Sequence, residues 1–323
     1  MKDALEILRQ GSRFLVTTHD FPDGDGLGSQ MALHLGLLSI GKQSYAINPG
    51  PTPEKFQLVD PKHAIQIYQP GKPLPNVDAI VVVDTSEMTL LGPMEKAIQA
   101  SGAPIVFVDH HTLEKSPGGA HFVREEYAAT GELVHALLSG LRVTLDEAMA
   151  TALYVAIVTD TAGFRFKRTS PRSHRIAAQL LECGVQPETV YHTIFARESA
   201  HKLRLLGHAL ERLELSTDGK IAWVTVPRQA REKFGATVED TESFVGALTL
   251  LRGVEIAALF REEDDGRTKI SLRGLGARPV LEIARSIGGG GHKFAAGARV
   301  SQPMPQVVQQ VLAACAKVLA VKP

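Results

Sequence analysis

Cysteine is nearly absent: Cys183 and Cys315 are the only two in 323 residues. Two thiols that far apart build no disulfide framework, so the chain suits a reducing, cytoplasmic setting. Net charge is lacking too, with 35 basic against 35 acidic residues. A chain without cationic excess is not a nucleic-acid coat, and any anionic ligand must be held by a local patch. No apolar run approaches the roughly 18 residues that a membrane span needs. No basic stretch followed by an apolar one opens the chain, so no secretory leader is expected. Repeats and low-complexity tracts are missing. What remains, 44% hydrophobic and 22% charged, is ordinary for a soluble globular protein. At about 100–200 residues per domain, the length predicts two domains.

The pattern along the first half alternates strand and helix. Residues 13–18 read as a strand and 27–40 as a helix with Leu27, Met31, Leu35 and Leu38 on one face. "AIVVV" (79–83) and "IVFV" (105–108) are continuous apolar runs, as in strands covered on both faces. Helices are predicted over 132–138, 145–157, 171–183 and 189–197. This order predicts an α/β domain with a mostly parallel sheet flanked by helices. After a charged, leucine-bearing stretch at 199–213 the pattern restarts. It gives strands at 221–226, 255–261 and 269–273, the last two joined as a hairpin through "EEDDGRT". Helices at 243–251, 280–287 and 305–319 complete a smaller α/β domain at the C-terminal side. The expected division is 1–190, a linker helix at 191–213, and 214–323.

Ligands of open α/β sheets bind beyond the carboxyl ends of the strands, and there the chemistry-bearing residues collect. The first strand runs into "HDFPDGDGLGS" (19–29), with His19, Asp23 and Asp25. "AIVVV" ends at Asp84, "IVFV" at Asp109, His110 and His111, and the helix at 145–157 at Asp160. Each piece has a plain reading alone. An Asp after a strand caps a helix or turn, and Asp-Gly pairs mark tight turns. Four elements delivering acids and imidazoles to one rim point further. Two unit charges about 4 Å apart cost about 4 kcal/mol at an effective dielectric near 20, so such a cluster needs cations or protons. Imidazoles mixed with carboxylates favour Mn²⁺ or Zn²⁺ over Ca²⁺. The number of candidate ligands suits two ions, the usual device for in-line attack on a phosphoryl group.

Two other stretches stand out. Gly288–Gly291 before His292 cannot be a helix interior. It allows close backbone approach to a ligand, a tight crossover or a hinge, and it lacks the Lys-Ser/Thr of a P-loop. Arg165, Lys167, Arg168 and Arg172 follow Asp160 closely, as a solvated basic turn or as a phosphate-steering patch on the rim.

Taken together, "HDFPDGDGLGS", "VVVDTS", "VDHH", "TDTAGF" and "GGGGHKFAAGA" make the chain resemble, over nearly its whole length, the DHH-family phosphoesterases of the short two-domain type. These include oligoribonucleases, or nanoRNases, that also act as pAp phosphatases. The chain is similar to RecJ exonucleases but has no room for their added nucleic-acid-binding barrel. No membrane or sensor segment is expected before the motifs, unlike in membrane-bound cyclic-dinucleotide phosphodiesterases. The resemblance implies two Mn²⁺ ions, one on His19 and Asp23, the other on Asp25, His110 and Asp160, with Asp84 bridging. It implies a phosphate-facing donor in His111, oriented by Asp109. In the substrate-binding domain it implies phosphate contacts from Arg273 and His292, the backbone of Gly289, Gly290 and Gly291 against the nucleotide, and a further contact from Thr241 in "EDTESF". The expected activity is hydrolysis of short oligoribonucleotides or of pAp by metal-bound hydroxide in the cytoplasm, with no membrane partner. A homodimer is compatible with this reading. The alternatives are a phosphodiesterase of linear or cyclic dinucleotides and a non-catalytic nucleotide-binding module.

Overall fold

The apolar runs form the middle of a parallel sheet. The computed structural model describes residues 1–112 and 118–320, and the chain divides into two units, Met1–Arg197 and Glu198–Pro323. The first unit carries β1 (Arg13–Thr17), β2 (Gln43–Asn48), β3 (Gln66–Ile67), β4 (Ala79–Val83), β5 (Ile105–Asp109) and β6 (Ala120–Val123). Their order in the sheet is β3-β2-β1-β4-β5-β6, and all neighbours are parallel. The strand order reverses between β1 and β4, the kind of crevice in which such sheets bind ligands. Alternating side chains serve two cores. Phe14, Val16, Val81 and Val83 face one side, while Leu15, Ile80, Val82 and Phe107 pack with Met94 and Ile98 on the other. That double burial is why "AIVVV" shows no polar alternation.

The helices of this unit are α1 (Lys2–Gln10), α2 (Gly24–Ser39), α3 (Glu95–Ser101), α4 (Thr130–Gly140), α5 (Glu147–Asp160), α6 (Pro171–Glu182) and α7 (Pro187–Ile194). Caps set several starts. Asp146 accepts from Met149 N at 2.8 Å, and Ser170 closes a capping box with Ser173 ahead of Pro171.

Helix α2 departs from expectation. It starts at Gly24, not Leu27, so the glycines of "PDGDGLGS" are helical rather than a sharp turn around ligands. Their purpose is close packing. A Cβ on Gly28 would lie 2.2 Å from Ala152 O of α5, and one on Gly24 would lie 2.3 Å from Thr159 Oγ1. Both faces of α2 are buried, including Ser29, Gln30 and His34, while Leu38, expected on the apolar face, is exposed.

The second unit holds α8 (Ala200–Glu211), β7 (Glu214–Leu215), β8 (Ile221–Val226), α9 (Arg228–Phe234), α10 (Phe244–Leu248), β9 (Ile256–Glu262), β10 (Thr268–Gly274), α11 (Leu281–Arg285), β11 (Gly290–His292), β12 (Ala295–Val300) and α12 (Met304–Ala320). Its sheet runs β11-β12-β10-β9-β8-β7, antiparallel except for the β8–β9 pair. Where one linker helix was expected at 191–213, α7 ends at Ile194. Helix α8 then starts on the Ser199 cap and buries Leu205 and Ala209 against Val224 and Leu248. Among the described residues, no helix is long and apolar enough to cross a membrane.

Candidate metal centre

Adjacent strand ends bring the acids together. His19 lies two residues beyond β1, Asp84 directly follows β4, and Asp109 closes β5 with His110 after it. Asp23 caps α2, its Oδ1 accepting from Asp25 N at 2.9 Å and Gly26 N at 3.1 Å, so the capping reading of this acid is correct as far as it goes. Asp160 is the last residue of α5. Asp84 has φ +64°, a left-handed conformation that costs a non-glycine residue about 1 kcal/mol or more and persists where surroundings enforce it.

Three overlapping groups result, each with ligand atoms within 4.8 Å of one another: His19, Asp23 and Asp84; Asp25, His110 and Asp160; and Asp84, His110 and His111. Two imidazoles are prepared in the same way. His19 Nδ1 meets Asp20 O at 2.8 Å, and His110 Nδ1 meets Tyr127 O at 3.3 Å. A backbone acceptor places the proton on Nδ1 and leaves the Nε2 lone pair free for a metal. His19 Nε2 then faces Asp84 Oδ2 at 3.7 Å. His110 Nε2 faces Asp160 Oδ2 at 3.1 Å, Asp25 Oδ2 at 3.7 Å and Asp84 Oδ1 at 3.8 Å. It is buried and makes no hydrogen bond among the described residues. A buried polar atom without a partner is costly, and a cation set among these donors would satisfy it. The mixed nitrogen and oxygen set suits a borderline divalent ion.

Electrostatics agree. Burial, and then the charges of Asp84, Asp160 and Asp23, push the Asp25 carboxyl well above its usual range, against the hydrogen bond from Thr130 N. Burial pushes Asp84 up as well, although His19 pulls the other way. Burial pulls His19 down, but the nearby Asp84 carboxylate and the carbonyl of Asp20 outweigh it, and its pKa is raised. His111 stands apart, with an exposed ring whose Nδ1 meets Asp109 Oδ1 at 2.8 Å. That bond raises His111 to about 9. Burial would raise Asp109, but bonds from His111 and from Ser86 Oγ at 2.9 Å hold it low.

Several supporting residues carried no signal in the sequence. Both oxygens of Asp25 rest on the start of α4, accepting from Thr130 N at 2.6 Å and Gly131 N at 2.9 Å, where the helix dipole favours negative charge. Thr130 Oγ1 donates to Asp84 Oδ1 at 2.9 Å. Thr130 lies 46 residues from Asp84 and 105 from Asp25, so no local spacing could reveal it.

In the second unit, the glycine run forms an edge strand. Gly290 pairs with Gly297, Gly291 with Ala296 and His292 with Ala295. Ala295 also pairs with Arg273. His292 and Arg273 therefore share one row and one face, with only an alanine between them. Two of the glycines are required by the chain itself, since Cβ atoms would lie 2.2 Å from Gly297 O at Gly289 and 2.6 Å from Ala295 O at Gly291, whereas one at Gly290 would meet nothing within 4 Å. Thr241 does not join them. It is fully buried, and its Oγ1 donates to Val238 O at 2.7 Å and accepts from Arg261 at 2.6 Å. Its hydroxyl is engaged within the unit and supports the loop, which corrects the expected substrate contact.

Comparison with known proteins agrees with this geometry. The model of the DHH family, N-terminal domain, matches residues 13–157, and that of the DHHA1 domain matches 218–320. The chain is 31% identical over 304 residues to the bifunctional oligoribonuclease and PAP phosphatase NrnA of Thermus thermophilus, covering 93% of this chain and 88% of that one. It is 28% identical over 299 residues to the NrnA of Bacillus subtilis, covering 87% of each. An exopolyphosphatase-related protein from Bacteroides fragilis shares the fold with a TM-score of 0.84, at 24% identity over 98% of this chain and 95% of that one. Fold, site and relatives define a phosphoesterase, a hydrolase built on an α/β sheet. The chain belongs to the DHH family.

Proposed function

We propose that this phosphoesterase acts in the cytoplasm on short oligoribonucleotides and on pAp, with Mn²⁺ as its metal. The observation that carries the site is the position of Asp84, which belongs both to the group with His19 and Asp23 and to a group with His110. His19, Asp23 and Asp84 would hold one ion, and Asp25, His110 and Asp160, with Asp84 shared, the other. Divalent ions bound there supply positive charge to phosphate oxygens and lower the pKa of water. His111, kept cationic at neutral pH by Asp109, donates from its exposed ring to a phosphate oxygen. Arg273 and His292, on one row of the second sheet, form an anchor for another phosphate. Arginine suits that task because its planar fork matches phosphate oxygens.

The substrate class rests on the relatives named for oligoribonuclease and PAP phosphatase activity. The test is a turnover panel of pAp, pApA, short RNA and short DNA with Mn²⁺-supplemented protein. Cleavage of pAp and short RNA supports the reading. Turnover confined to pApA moves the assignment to a dinucleotide phosphodiesterase, and no turnover at all returns the chain to a nucleotide-binding module.

A further inference from the structure

Four basic residues follow Asp160, and the structure separates them. Arg172 is half-buried and engaged by its own unit. Its Nε meets Glu132 Oε2 at 3.0 Å, one terminal nitrogen meets Glu126 O at 2.7 Å, and the guanidinium lies 3.4 Å over the Tyr127 ring. Arg165 bonds its own turn through Ala162 O at 2.8 Å. Lys167 is exposed. Arg168 alone reaches the metal centre, with one terminal nitrogen 3.4 Å from His110 Nδ1.

That contact conflicts with the state in which His110 is a ligand. A neutral imidazole carries one proton, so one nitrogen donates and the other accepts. For Nε2 to hold a metal, Nδ1 must carry the proton and give it to Tyr127 O, 3.3 Å away. A guanidinium has five donors and no acceptor. Facing an Nδ1–H, it loses its only bonding partner among the described residues, since no carboxylate pairs with it as Glu132 does with Arg172. A loaded centre therefore leaves a permanently charged, five-donor group beside it with no anion bound among the described residues. The arm is rooted in an exposed turn and can reorient on its long side chain. We propose that Arg168 binds an oxygen of the substrate phosphate presented to the metal centre, and that it sets affinity for phosphate-bearing substrates. This rests on the phosphoesterase site described above and adds a residue to it.

The test compares wild type with Arg168→Ala and Arg168→Lys. It measures bound metal per chain, titration of inorganic phosphate into Mn²⁺-loaded protein by calorimetry, and KM and kcat for pAp. Losing a charge-assisted bond weakens binding about tenfold or more. The expected result for Arg168→Ala is a phosphate Kd and a pAp KM each raised about tenfold, with kcat and metal content near those of wild type. Arg168→Lys should recover part of the affinity. Phosphate affinity within twofold of wild type overturns the proposal. So does a loss of bound metal in Arg168→Ala, which would make the residue a support for His110 instead. If wild type cleaves neither pAp nor short RNA, the substrate reading fails, and the phosphate titration alone still decides the role of Arg168.

Discussion

Thr130 Oγ1 donates to Asp84 Oδ1 at 2.9 Å, and both groups are buried. The bond comes from the first residue of α4, whose backbone N–H holds Asp25 at the same time. One short segment thus orients two of the acids in the centre. Thr130→Val keeps the shape and removes the donor. Losing a hydrogen bond to a charged group costs about 1.5–3 kcal/mol, so kcat/KM for pAp is expected to fall by about tenfold or more, while Thr130→Ser stays close to wild type. Equal activity in the Val and Ser variants would show that the hydroxyl is not what positions Asp84.

Asp84→Asn separates charge from shape. As the residue shared between two groups, Asp84 should be needed for both ions, so the variant is expected to lose bound metal and turnover together. Its buried charge opposes folding when no cation is present, so the chelated variant should melt no lower than chelated wild type. Elemental analysis and thermal melting in EDTA check both points. A variant that retains more than about a tenth of wild-type kcat removes Asp84 from the site.

Metal removal should also change the pH dependence of stability. Asp25 and Asp84 titrate above their usual range in the folded chain, while unfolded aspartate titrates near about 3.9. Between those points the folded state binds more protons, so stability falls as pH rises. His111 has the same sign. Its contribution is present below the ordinary value of 6.5 and is lost as pH rises through about 9. Chelated protein is therefore expected to lose stability from about pH 4, where unfolded aspartate titrates, to about pH 9, where folded His111 does, and saturating Mn²⁺ should flatten that loss. Denaturant melts across this range, with and without the ion, are the check. Identical profiles would mean that cations do not replace those protons.

The row shared by His292 and Arg273 predicts an effect on binding separate from the metals. Arg273→Ala should raise KM for short substrates and reduce the preference for them over longer chains, with bound metal unchanged. With two or three phosphate contacts, the salt slope for a single strand should be about −1.4 to −2.1. A steep slope and a preference for the longest chains would replace this anchor with an extended groove.

The contact between α2 and α5 is tight enough to test directly. A Cβ on Gly28 would meet Ala152 O at 2.2 Å, and backbone cannot yield as a side-chain tip can. Gly28→Ala is expected to cost about 2 kcal/mol or more, seen as a lower urea midpoint. An unchanged midpoint would show that the two helices separate freely.

The sequence by itself determined the sheet and the inventory of the site. Apolar runs such as "AIVVV" and "IVFV" can be buried on both faces only as central strands, and the residues that end them are then carried to one edge. Seven of the eight acids and imidazoles read there, all but Asp109, fall into the three groups. Only the tertiary structure decided how they are held. Thr130 reaches Asp84 and Asp25 across long stretches of chain, the helical glycines of α2 answer to Ala152 and Thr159 of α5, and Thr241 turns inward to Arg261. The physical reason is the range of the interactions. Periodicity and caps are set by neighbours within a turn or a strand, whereas a donor's partner or the space left for a Cβ depends on residues that meet only when the elements pack.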